Sequence, residues 1–294
     1  MHAITWMSGS LLSFCLMAIG ARELAGEIPV FQTLFVRSAV GLLCVVAILY
    51  VTKQAALIKT KALGLHVFRN SFHLAGQYGW FLGIGLLPLA EVFALEFTVP
   101  IWTAIFASIV LKETLTRRKL IAIACGLLGV LVIVQPGVAI VNVASLIVLG
   151  AAICYAIAHT STKALSATEK PIVILFYMCL VQLPVALALS LSAWVWPVGV
   201  QWVWLVSIAL SALSAHYCMV KAMHYAEITI IVTMDFLRLP LIAMLGMLLY
   251  QEHFEFAIML GGALMLLGNL VNAWGAPAST REQAGTREAL KPRR

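Results

Sequence analysis

The sequence predicts an all-α polytopic membrane protein, with ten transmembrane helices arranged as two inverted five-helix repeats. Three observations carry this. Hydrophobic residues fill 63% of the 294 positions and charged residues only 11%, whereas a soluble domain is about one-quarter charged. The apolar runs are continuous rather than alternating, so they are membrane helices and not strands of a barrel. A shift of 139 residues lays Glu96-Phe97 over Asp235-Phe236, Gln77-Tyr78 over His216-Tyr217, Glu113 over Glu252, and Leu127-Leu128-Gly129 over Leu266-Leu267-Gly268. With five spans per half, the second copy enters the membrane from the opposite side.

The first span, 3–21, has no Lys or Arg ahead of it, so it is read as a helix and not as a cleaved signal peptide. The second, 30–51, follows Gly26 and Pro29 and carries Arg37. The third, 64–87, stops at Pro88. The fourth, 89–111, contains Glu96 and Pro100 and runs out at Glu113. The fifth, 119–136, ends at Pro136-Gly137, and its Gly126 and Gly129 are expected at a close helix contact. The sixth is 144–163; the seventh, 171–193, opens on Pro171 and precedes Trp196-Pro197. The last three are 201–221, 228–250 and 256–274. Spans of roughly 20 residues leave only short connections and no soluble domain. The repeats are therefore 1–137 and 138–276, with 277–294 a disordered basic tail attracted to anionic lipid.

Of the 19 Lys and Arg residues, 15 fall in the tail or in the loops after even-numbered spans, and only Arg22 falls in the other set of loops. Both termini are thus expected in the cytoplasm, with the protein in the inner (plasma) membrane. The net charge of +7 reflects this asymmetry and not a nucleic-acid partner. Cys15, Cys44, Cys125, Cys154, Cys179 and Cys218 are scattered singly without ligand spacing, so neither a metal site nor a disulfide framework is expected.

A charge at the bilayer centre costs about 2.5–3.5 kcal/mol even on mild scales, so buried charges face a cavity or a partner. Arg37, Arg69, Glu96, Asp235 and Arg238 qualify. Arg37 and Glu96 lie at similar depth and are expected to pair or to touch a solute; Asp235 and Arg238 form an i,i+3 pair. Arg69, His73, Gln77 and Trp80 share one face of span three. That polar stripe should line an internal cavity, although Arg69 alone could snorkel to the headgroups. Tyr155 and His159 in span six, and His216 with Tyr217 in span eight, extend the set. Trp80, Trp102, Phe97 and Phe236 could stack on a planar solute, whereas Trp6, Trp194, Trp196, Trp202 and Trp204 read as interfacial belt residues.

Ten spans in a five-plus-five repeat, with Glu113-Thr114-Leu115-Thr116, Gly126, Gly129, Pro136-Gly137 and Arg37 in their places, resemble the EamA-type members of the drug/metabolite transporter superfamily. The second copy departs in having Glu252 to Glu255 as EHFE and no terminal Pro-Gly. The stretch from Arg69 to Trp102 is similar to a subgroup of S-adenosylmethionine carriers, riboflavin carriers and opine-metallophore exporters. The resemblance implies secondary transport of a small polar or zwitterionic metabolite by alternating access, with export as the favoured direction and uptake as the alternative. Arginines would then hold a carboxylate and the acids an amino group, and Glu96, Asp235 or a histidine would carry any coupled proton. No Walker motif, nucleophile elbow or HExxH is present, so no cofactor or catalytic residue is expected. An intramembrane enzyme or a membrane scaffold is the remote alternative; oligomeric state is open.

Overall fold

The computed structural model describes residues 2–110, 117–134, 142–165, 168–225, 238–253 and 255–273. The helices are α1 (His2–Glu23), α2 (Val30–Val51), α3 (Leu63–Leu86), α4 (Leu89–Glu96), α5 (Val99–Val110), α6 (Arg117–Val134), α7 (Val143–Leu165), α8 (Pro171–Ser190), α9 (Val200–Tyr225), α10 (Arg238–Tyr250) and α11 (Phe256–Ala273). No strand occurs among the described residues. Four segments, Val30–Val51, Val143–Thr162, Ile172–Ala193 and Val200–Cys218, are each long and apolar enough to cross a bilayer. Glu113, Pro136-Gly137, Asp235, Phe236 and the 277–294 tail lie outside the described residues.

Span four departs from the expected continuous helix. It breaks at Phe97-Thr98 into α4 and α5. Pro100 has no N–H to offer the Glu96 carbonyl, which leaves the i to i−4 ladder open there and lets α5 restart with Pro in its first turn. Thr98 closes the gap: its amide and hydroxyl both donate to the Leu95 carbonyl, at 3.1 and 2.7 Å. In the second half, span nine is described from Arg238 onward, as α10.

The extensive helix pairings all cross between the halves. α1 packs on α9 and α3 on α7, while α2 meets α8, α4 meets α10 and α6 meets α11. Exchanging the halves maps this pattern onto itself. Small residues permit the close approaches. Along α3, a Cβ on Gly76 would meet the Tyr155 ring at 3.0 Å, one on Gly79 would meet Ala151 at 3.0 Å, and one on Gly83 would overlap Val148. Between α6 and α11, a Cβ on Gly129 would lie 2.7 Å from the Gly261 carbonyl oxygen, so backbone meets backbone there, as the Gly-rich face of span five predicts.

Both ends of the bundle are tied by polar contacts. At the end that the charge pattern assigns outside, Glu252 pairs with Arg22 and accepts the Leu89 amide at 2.9 and 3.1 Å. Gln201 donates to Glu27 at 2.8 Å nearby, and Val195 N–H donates to Gln32 at 3.0 Å. At the opposite end, Glu169 accepts from Thr60 and lies 2.6 Å from His66 Nε2, and Tyr177 donates to the Ile58 carbonyl at 2.8 Å.

Candidate functional site

The polar stripe of α3 faces inward. Arg69, His73, Gln77 and Trp80 are all buried. Arg69 does not snorkel: its Nε donates to Thr162 Oγ1 on α7 at 3.1 Å and its Nη1 to Asn70 Oδ1 at 2.6 Å. Asn70 in turn donates to the Tyr177 carbonyl at 3.3 Å, and Gln182 Nε2 on α8 reaches both Asn70 Oδ1 (3.4 Å) and His73 Nδ1 (2.9 Å). Gln77 Oε1 is buried without a hydrogen-bond partner among the described residues.

Five helices bring polar groups to this centre. The His73 ring meets Tyr155 edge-on at 5.6 Å, and Tyr155 stacks on His159 at 6.3 Å. His159 itself lies on an accessible side of α7. From α9, His216 rests its Nδ1 on the Ala212 carbonyl at 2.8 Å and sets its ring edge to Phe14. His73 is within electrostatic reach of Arg69, Arg37, His216 and His159. Between α2, α8 and α9 lies a small crevice, lined by Arg37, Ser38, Cys179, Gln182 and His216.

The expected Arg37–Glu96 pair does not form. Glu96 accepts Trp80 Nε1–H on Oε2 at 2.8 Å and faces Arg238 with Oε1 at 3.5 Å. Glu96 ends α4, where a carboxylate opposes the helix dipole, and the Arg238 guanidinium offsets that charge. Arg238 also lies over three rings, Phe14 at 4.7 Å, Phe93 at 5.1 Å and Phe97 at 5.3 Å. Phe97 is thus already occupied by a cation. Arg37, only 7% exposed, makes no hydrogen bond or ion pair among the described residues, and its Nε is buried and unsatisfied.

Trp102 belongs to the broken helix more than to the crevice. Its Nε1 donates to Thr98 Oγ1 at 3.1 Å and its ring packs beside Val99, Ala152 and Ala156. Tyr217 is 54% exposed and meets Trp6 edge-on, so it faces away from the cluster. Trp196 and Trp202 are exposed, as interfacial residues should be. Asp235 lies outside the described residues.

The profile of the EamA-like transporter family matches residues 1–135 and again 142–274. The chain belongs to that family. At 25% identity it is similar to a riboflavin transporter of Vibrio cholerae, over 95% of each chain. It is 23% identical to an S-adenosylmethionine uptake transporter of Rickettsia prowazekii, over 92% of each chain. It is also 24% identical to the pseudopaline exporter CntI of Pseudomonas aeruginosa, over 87% of this chain and 90% of that one. A solved crystal structure superposes with a TM-score of 0.67 at 17% identity, covering 94% of this chain and 98% of the other, which speaks to the fold alone.

In this family member the sequence reading missed Gln182, Thr162, Asn70 and Cys179 as parts of the cluster. Gln182 was findable. It is the one amide in the apolar α8, and the test that singles out Gln77 in α3 applies to it equally. Thr162 and Asn70 give no such signal, because Thr is common in membrane helices and Asn70 adjoins a charge that could have been at the interface.

Proposed function

We propose that the protein is a secondary active transporter that carries a small polar organic metabolite by alternating access. The observation that carries this reading is the convergence of Arg37 on α2, Arg69, His73 and Gln77 on α3, Tyr155 and His159 on α7, and His216 on α9. Such a set is costly in an apolar bundle unless a polar solute uses it. It is drawn from both halves, 1–137 and 138–276, so relative motion of the halves would open it to either side. The break at Phe97-Thr98 supplies a hinge, and the polar ties at the two ends supply gates. Arg238 completes the set from span nine, where the repeat also equates Asp235 with Glu96, and Trp80, which holds Glu96, forms an apolar wall.

The protein resides in the inner membrane with both termini in the cytoplasm, and its 277–294 tail lies on the lipid surface. It exports its solute using an ion gradient, with Glu96 or Asp235 carrying the coupled proton. Similarity to the pseudopaline exporter supports export; similarity to the S-adenosylmethionine uptake transporters favours the second reading, uptake. His73 bonds Gln182 and Glu96 bonds Trp80, so the two do not form the acid–base pair that an intramembrane enzyme would use, which favours the transport reading. Flux into proteoliposomes tests the reading. Glu96→Gln and Arg69→Ala should each reduce it at least about tenfold at equal protein level, and unchanged flux in both would refute the assigned site. In intact cells, accumulation of the solute on deleting the gene indicates export, and depletion indicates uptake.

A further inference from the structure

We infer that the crevice between α2, α8 and α9 is an anion subsite in which Arg37 binds a carboxylate of the solute, a counter-charge that none of the described residues supplies. The inference rests on the transport reading for its occupant and narrows it from polar metabolites in general to organic anions.

Glu96, the nearest acid in the sequence reading, is committed to Trp80 and Arg238. Arg37 is left buried at 7% exposure with an unsatisfied Nε and no ion pair among the described residues. Arg69 stands within electrostatic reach of it, and the partners of Arg69 are neutral, Thr162 and Asn70. The other polar lining groups, Ser38, Gln182 and His216, are neutral or basic, and no carboxylate lines the crevice among the described residues. A guanidinium presents a planar fork of donors that matches a carboxylate at two points and is poorly served by a neutral amide or hydroxyl. Two guanidiniums with neutral neighbours in an apolar bundle are unfavourable unless a ligand neutralises one of them. The group seated in this crevice is therefore anionic.

The test uses the purified full-length protein in detergent and in liposomes. The probe is an N-(carboxyalkyl) amino acid of the opine type, with its methyl esters as matched neutral controls and riboflavin as an uncharged comparison. The free acid should raise the thermal midpoint and the esters and riboflavin should not. Arg37→Gln should weaken acid binding by about 30-fold or more, as expected for loss of a buried charge pair, with partial recovery in Arg37→Lys. Without ligand, Arg37→Gln should melt at a higher temperature than the wild type, because an uncompensated charge has been removed. A lower ligand-free midpoint would mean that Arg37 has a structural counter-ion, which overturns the proposal. Equal protection by acid and esters, or acid binding that survives Arg37→Gln, would do the same. Acid binding without liposome flux would leave the subsite standing and refute transport; flux of riboflavin with no effect of the acid would leave transport standing and refute the subsite.

Discussion

Replacing Glu252 with Gln should shift the protein toward a state open at the end that carries Arg22. The Glu252 side chain is 12% exposed and that of Arg22 is 19% exposed, so the pair is largely shielded from solvent. Arg22 also donates to the Leu87 carbonyl at 2.9 Å and lies 5.4 Å from the Tyr250 ring centre. The carboxylate thus joins the end of α1, the start of α4 and the turn between α10 and α11. Glutamine keeps one oxygen for the Leu89 amide, so the loss falls mainly on the Arg22 pair. A charge-assisted bond is worth about 1.5–3 kcal/mol, and partial solvent screening brings the net to about 2 kcal/mol. If that contact exists only in the closed state, the open-to-closed ratio rises about 30-fold. Spin labels at His253 and Val198, both exposed positions, would report this as a longer-distance population in Glu252→Gln. A distance distribution identical to that of the unsubstituted protein would show that the contact is present in both states, and the gate assignment would fail.

Glu169→Gln should act in the reverse direction, loosening the opposite end by releasing Thr60 and His66, and the same labelling at Lys170 and Lys59 would register it. Trp80→Phe should remove the indole donor from Glu96 and lower flux several-fold while costing about 1 kcal/mol of stability, read by flux and thermal midpoint together. Gly83→Ala should destabilise by about 1–3 kcal/mol through overlap with Val148. Adding Val148→Ala should recover most of that loss; if the double variant melts no higher than the single one, the close packing of α3 on α7 is misassigned.

The ten spans were legible because each is a continuous apolar run bounded by Pro, Gly or charge, and a bilayer tolerates few other arrangements. The inward face of α3 was legible too, since polar residues at helical spacing in an apolar helix leave little choice. The partners were not. Arg37 and Glu96 share a depth, but depth does not fix which way each helix is rotated. That rotation follows from close contacts such as Gly83 on Val148 and Gly129 on Gly261, which bring residues far apart in the chain together. The break at Phe97-Thr98 was signalled by Pro100, yet a proline in an apolar run is equally compatible with a gentle kink. Glu96 consequently lies at a helix terminus, where a sequence reading placed it mid-helix.

Because α1 finds its main surface on α9, and α2 on α8, the order of synthesis and the order of packing are at odds. The N-terminal half enters the membrane with its five spans lacking the neighbours they will ultimately touch. It must wait there, with Arg37 and the α3 stripe facing lipid or one another, until most of the second half, 138–276, has been made. Neither half is a free-standing unit, so cutting the gene at the midpoint should yield two fragments that are inert alone and regain function when produced together. The interleaving that builds a shared cavity thus also makes assembly an all-or-nothing event, with quality-control proteases competing for every chain that stalls halfway.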